Sequence, residues 1–236
     1  MAARLSKSKL IAALQCERRL WLEIHRPGLA QVSAATRAAF SQGHAVGDVA
    51  QTLYSATHGE GHLLEYDGGL GAALSLTKRL LADAADTRPL YEATFQHQGI
   101  LVRLDVLLRD PAGVHLIEVK SSTSLKPEHV TDCAIQAWVA RGAGLDFRRM
   151  SLAHIDNRFV YQGEGDYQGL LVEHDITGEA LALQAMVPQW LAAAQAATQL
   201  YESAVLPEED LPRGVAVTDQ IAARFEGDPP ATAVDG

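Results

Sequence analysis

The run Leu101-Val102-Arg103-Leu104-Asp105-Val106-Leu107-Leu108, followed by Leu116-Ile117-Glu118-Val119-Lys120, decides how this chain is read. Both runs are built from Leu, Val and Ile, with charges two residues apart, the period of a β-strand. In the first, Val102, Leu104, Val106 and Leu108 fill one face, and Arg103 and Asp105 share the other. In the second, Ile117 and Val119 face one way, and Glu118 and Lys120 the other. Between them, Asp110-Pro111-Ala112-Gly113 suits a type I turn. If that turn is symmetric, Arg109 pairs with Val114. Asp105 then falls opposite Glu118, and Arg103 opposite Lys120, with Cβ atoms about 4.5–5.5 Å apart.

Working outward, Leu90–His97 reads as the preceding strand, joined to Ile100–Arg109 through Gln98-Gly99, and Val114–Ser121 completes the meander. Glu128–Arg141 reads as a helix stopped at Gly142 and Gly144. Arg149–Ile155, Phe159–Tyr161 and, more weakly, Gly169–His174 read as strands, and Thr177 to about Tyr201 as one long Ala-rich helix. Upstream, Ser6 or Ser8 caps a helix running to about His25, which Pro27-Gly28 ends. A second helix covers Ala34 to Tyr54, weakened by Gly43 and Gly47. A short strand fits Leu63–Tyr66 and a helix Leu70–Ala85. Strands and helices in this mixture predict an α/β fold. Residues 1–206 form the domain, and 207–236 an acidic, proline-bearing tail whose composition reads as disordered.

The 236 residues, 47% hydrophobic, suffice for one sizeable core. No window of 18 apolar residues exists, so no transmembrane helix is expected. The N-terminus lacks the apolar run and cleavage site of a signal peptide, and Cys16 and Cys133 show no metal or redox spacing. These features read as a cytoplasmic protein with reduced thiols and no membrane association. The net charge of -9 argues against a protein that simply coats nucleic acid. Its distribution is uneven: the first 40 residues are basic, and residues from 162 onward are strongly acidic. A basic N-terminal segment can meet a polyanion. It also suits an ordinary solvated surface.

Two opposed carboxylates suit a hard divalent cation, and the carbonyl of Val119 is a further oxygen ligand within reach. Lys120 shares a face with Glu118, so its ammonium stands where a phosphate bound to such an ion would lie. Cleaving a phosphodiester needs these parts: an ion that polarises the phosphoryl oxygen and activates water, and a cation for the developing charge. The same quartet also reads as a checkerboard of ion pairs, with Arg103–Glu118 and Asp105–Lys120 on its diagonals. Glu92 either faces the site from the preceding strand or is a solvated edge carboxylate.

Asp105, a hairpin, then Glu118-Val119-Lys120 resembles the PD-(D/E)xK phosphodiesterase core. The chain is more particularly similar to RecB-type exonuclease domains, including the CRISPR-associated ones. Gly43-His44 looks like that branch's metal-binding histidine, and Gln136 like the glutamine that contacts DNA. Leu5-Ser6-Lys7-Ser8-Lys9-Leu10 with Cys16-Glu17-Arg18-Arg19-Leu20-Trp21 looks like its N-terminal segment. The resemblance covers roughly residues 5–176. It implies a restriction-endonuclease-like mixed sheet flanked by helices, with the N-terminal helices as one wall. It further implies Mg²⁺ or Mn²⁺ held by Asp105, Glu118, Val119 and His44, with the histidine favouring Mn²⁺. Lys120 assists the chemistry, and Gln136 and Arg103 meet nucleic acid. The implied activity is hydrolysis of DNA from an end, within a repair or defence system that supplies further domains or partner proteins.

Two features depart from that branch. Many members carry an aromatic residue four positions after the glutamine, where this chain has Ala140; Trp138 lies on another face of the helix. Some members also bind an iron–sulfur cluster through one N-terminal and three C-terminal cysteines. Cys16 matches the first, but no cysteine follows Cys133, so this chain alone cannot complete the cluster. Two other functions stay open: a non-catalytic module that binds nucleic acid or protein on the same fold, and a metal-dependent phosphohydrolase acting on RNA or a small phosphoester.

Overall fold

The computed structural model describes residues 5–30, 33–65 and 68–200. The acidic tail expected from residue 207 lies outside the described residues. The chain is α/β, with one mixed sheet flanked by helices. Its strands are β1 (Leu5–Ser6), β2 (His62–Leu63), β3 (Leu90–His97), β4 (Ile100–Asp110), β5 (Gly113–Lys120), β6 (Arg149–Ile155) and β7 (Leu171–Asp175). They lie in the order β2-β3-β4-β5-β6-β7, and β1 joins β4 off that path. The β3–β4, β4–β5 and β6–β7 pairs are antiparallel; β2–β3, β5–β6 and β1–β4 are parallel.

β4 is the longest strand, and two neighbours share one of its edges. β5 pairs with its C-terminal half, from Val106 against Ile117 to Asp110 against Gly113. β1 pairs with its first residues, Leu5 against Ile100 and Ser6 against Leu101. The turn register is the expected one, with Arg109 against Val114. Gly113 (φ 128°) turns the chain where a side chain would be strained, and Asp110 accepts a 2.7 Å bond from the Ala112 amide.

Helix α5 (Pro127–Gly142) is the crossover that the parallel β5–β6 pair requires. It lies between the sheet and α1 (Lys7–Gln15), α6 (Thr177–Gln184) and α7 (Val187–Leu200), so it buries nearly its whole circumference from Asp132 to Ala140. The main core fills this side, with Leu5, Leu10, Leu104, Leu116, Ile135 and Met150 among its members. On the other face, helix α3 (Ala34–His58) covers a smaller cluster of Tyr91, Val106, Leu108, Ile117 and Ala153.

Four expectations are corrected. The first helix breaks at Cys16, whose extended backbone separates α1 (Lys7–Gln15) from α2 (Glu17–His25). The long C-terminal helix is two, α6 (Thr177–Gln184) and α7 (Val187–Leu200), parted just ahead of Pro188, which cannot supply a helical N–H. Phe159–Tyr161 forms no strand; it belongs to a looped connection between β6 and β7. Finally, β4 does not keep one alternation. Val102 and Leu104 pack in the main core, whereas Val106 and Leu108 pack under α3. On β3 the same switch separates Ala93 from Tyr91. It happens at Glu92, a non-glycine residue at φ 60°, across from Asp105, and the β3–β4 ladder skips both residues. The remaining helix, α4 (Gly69–Ala82), packs against β3.

Candidate active site

The switch at Glu92 and Asp105 and the splay of β4 from β5 open a cavity of about 370 Å³ between α3 and the sheet. α3 lines it with Gly43, His44, Gly47, Asp48 and Gln51, positions three and four apart that share one helical face. A Cβ at Gly43 or Gly47 would meet nothing within 4 Å, so these glycines leave the wall open. The strands contribute Glu92, Asp105, Glu118, Val119 and Lys120. His44, Asp105, Glu118, Val119 and Lys120 therefore meet at one cavity, and His44 is solvent-exposed on its rim.

The opposed pairs that a continued ladder would form are absent. The β4–β5 ladder ends at Val106–Ile117. Beyond it, Asp105 Oδ2 accepts a 2.7 Å hydrogen bond from the Val119 amide, which satisfies a donor that lost its strand partner. Glu118 nevertheless still acts on Asp105 through its charge. Arg103 does not reach Lys120. It lies against Thr94 in the ladder, its Nε is 3.1 Å from Glu92 Oε2, and its Nη2 donates to the Leu64 carbonyl. The diagonal checkerboard of ion pairs is absent too: Glu118 and Lys120 pair with each other along β5.

Two residues that sequence reasoning missed complete the site. Lys7, the first residue of α1, lies 3.1 Å from Glu118 Oε1 and 2.8 Å from Asp132 Oδ1. Lys120 Nζ lies 2.5 Å from both Glu118 Oε1 and Asp132 Oδ2. Lys7, Glu118, Lys120 and Asp132 thus close a ring of alternating charge beneath the cavity. Gln136 sits one turn after Asp132, is buried, and donates to Glu118 Oε2. Gln136, expected to meet nucleic acid, has its amide on Glu118 inside the protein. No signal singles out Lys7 among the basic residues of its segment. Asp132 was legible as the i−4 neighbour of Gln136 on a core helix.

The charges shift one another strongly. Burial alone would raise the Glu118 carboxyl, but the ammonium groups of Lys120 and Lys7 hold it well below the usual carboxylate range. Burial would likewise lower both lysines, and Glu118 and Asp132 hold them above their ordinary value. Asp105 goes the other way: burial and the charge of Glu118 push it well up. Burial also raises Glu92, against the pull of Arg103.

The donor set offers oxygens to a divalent ion, although Lys7 and Lys120 already balance the charges of Glu118 and Asp132. Asp105 has one oxygen free of the Val119 bond and a carboxyl that burial and Glu118 disfavour in its ionised form, as expected where a further cation belongs. Yet among the described residues no three His, Cys, Asp or Glu side chains stand ready as a metal cage. Glu118 Oε1 is held by two ammonium groups and Oε2 by the Gln136 amide, so an ion that claims Oε1 meets an ammonium there.

No family model and no curated protein matches the chain. The crystal structure of SSO0001 is similar at 17% identity and a TM-score of 0.41, over 84% of this chain and 76% of that one. A likeness of that degree carries no argument about chemistry. Among the described residues, no helix is long and apolar enough to cross a membrane.

Proposed function

We propose that this chain is a metal-dependent nuclease of the PD-(D/E)xK superfamily, similar to RecB-type exonuclease domains on a restriction-endonuclease-like fold. It hydrolyses DNA from an end, in the reducing cytoplasm. The observation that carries this reading is that His44, Asp105, Glu118, Val119 and Lys120, drawn from a helix and two strands, line one cavity. Asp105 and Glu118 would hold Mg²⁺ or Mn²⁺, with His44 and the Val119 carbonyl as further ligands. Bound there, the ion supplies Lewis-acid stabilisation of the phosphoryl oxygen and a more acidic water. Lys120 meets the charge developing on the phosphate, and Asp132 holds its ammonium in place. Gln136 orients Glu118 from the core side, and α3 walls the cavity against which the nucleic acid lies.

A second reading, a non-catalytic binding module on the same fold, draws support from Glu118, whose two oxygens are both engaged within the protein. Labelled single- and double-stranded DNA and RNA, incubated with Mg²⁺, Mn²⁺ or chelator, decide between the two. Cleavage that needs metal and is lost in Asp105→Ala supports the nuclease. Metal-independent binding without cleavage supports the module.

A further inference from the structure

Lys7 is not an ordinary surface lysine. Its backbone is held on both sides: Leu5, fully buried, donates its amide to Gly99 and pairs with Ile100, and Ser6 pairs with Leu101 while its hydroxyl accepts from the Lys9 amide at 3.3 Å. Strand and helix cap together fix where α1 begins, and hence where the first side chain of α1 points. That side chain is only 21% exposed and ends between Glu118 and Asp132. Its position is open because β1 occupies only the first residues of the β4 edge and β5 only the far half.

Within the ring, the Lys7–Glu118 contact is the longest, at 3.1 Å, against 2.5 Å for Lys120 on the same oxygen. Lys7 also keeps a second partner, Asp132, at 2.8 Å. Of the two ammonium groups on Glu118 Oε1, that of Lys7 is the more loosely held, and its Asp132 contact keeps it beside the site when the oxygen is claimed by an ion.

Resting on the nuclease reading, we propose that Lys7 is a second active-site lysine, a resident cation that occupies Glu118 until a divalent ion takes that oxygen and then faces the phosphate of the substrate. The site thus exchanges an ammonium for a metal without leaving its carboxylates bare, and gains a second positive charge next to the scissile group.

Mn²⁺ calorimetry on the wild-type chain and Lys7→Gln tests this, alongside reductive methylation of the wild-type chain in Mn²⁺ and in chelator, with Lys7 resolved by peptide mass spectrometry. The expected results are Mn²⁺ binding at least fivefold tighter in Lys7→Gln, slower single-turnover cleavage in the same variant, partial recovery in Lys7→Arg, and faster methylation of wild-type Lys7 in Mn²⁺. A purely structural ion pair would lower the melting temperature of Lys7→Gln and leave its Mn²⁺ affinity unchanged. If Lys7→Gln does not fold, the methylation result decides, and equal Lys7 reactivity with and without Mn²⁺ overturns the proposal. A wild-type chain that takes up no Mn²⁺ overturns the nuclease reading as well. Uptake with unchanged affinity in Lys7→Gln overturns only the role of Lys7.

Discussion

Asp105 and Val119 are joined by a 2.7 Å bond from backbone amide to carboxylate at the point where the β4–β5 ladder stops. One Asp105 oxygen thereby stands in for a missing strand partner, and the other stays available at the cavity. The bond fixes the carboxylate without neutralising it, and leaves Asp105 the acidic group of the site in greatest need of a cation.

Asp105→Asn keeps an oxygen acceptor for Val119 and removes the charge. Because the Asp105 carboxyl is pushed up in the folded chain, its contribution to stability is full below the ordinary carboxylate range and is lost as pH rises through its folded value. In chelator, Asp105→Asn should therefore melt higher than wild type at neutral pH, and the difference should shrink as pH falls. It should also lose Mn²⁺ binding. Melting curves across pH for both proteins check the first point, and calorimetry the second. Normal Mn²⁺ affinity would remove Asp105 from the site.

His44 is exposed, and among the described residues no hydrogen-bond partner holds it to the core. His44→Ala should leave the melting temperature in chelator unchanged and weaken Mn²⁺ binding on the order of tenfold. A crystal soaked in Mn²⁺ should place an imidazole nitrogen about 2.0–2.3 Å from the ion. A metal bound with the imidazole turned away contradicts the assignment.

Gln136→Leu removes the donor to Glu118 Oε2 and leaves a buried carboxylate oxygen unpaired, which costs about 1–3 kcal/mol. The loss should appear in thermal melting with no nucleic acid present. Unaltered stability, with only DNA affinity reduced, would instead favour the expectation that Gln136 meets DNA.

Lys120 carries both structure and chemistry. Lys120→Ala opens the charge ring, so it should destabilise the chain by on the order of 3 kcal/mol. With Mn²⁺ bound, it should also cut single-turnover cleavage by about a hundredfold or more. Lys120→Arg retains charge but not the compact geometry, and should restore stability better than rate. An unaltered rate in Lys120→Ala takes the residue out of the chemistry.

Most of the sheet was legible because its strands are apolar runs rich in Leu, Val and Ile and their turns carry Gly and Pro. β3 and β6 have the expected limits, and the turn register of β4–β5 is as expected. What escaped was non-local. A single residue in left-handed backbone, Glu92, reverses the alternation, and no local pattern marks it. Periodicity shows Asp105 and Glu118 on strands but not the splay that separates them. Lys7 reaches the site only because β1 pairs with a distant strand, whereas Asp132 and Gln136 carried a readable i,i+4 spacing on α5. The Pro188 break was also readable, and the Ala-rich run around it masked the signal.

The pairing of β1 with β4 also bears on the order in which the molecule assembles. β3, β4 and β5 are joined by tight turns and can zip up from local contacts, whereas β1 must close a loop across α1 to α4 before Leu5 meets Ile100. During refolding the meander, which carries Glu118 and Lys120, therefore exists before the Lys7 ammonium arrives. Closure of that loop then brings Lys7 to Glu118 and Asp132, an attraction that salt screens, so high salt should slow it while leaving the earlier zippering nearly untouched.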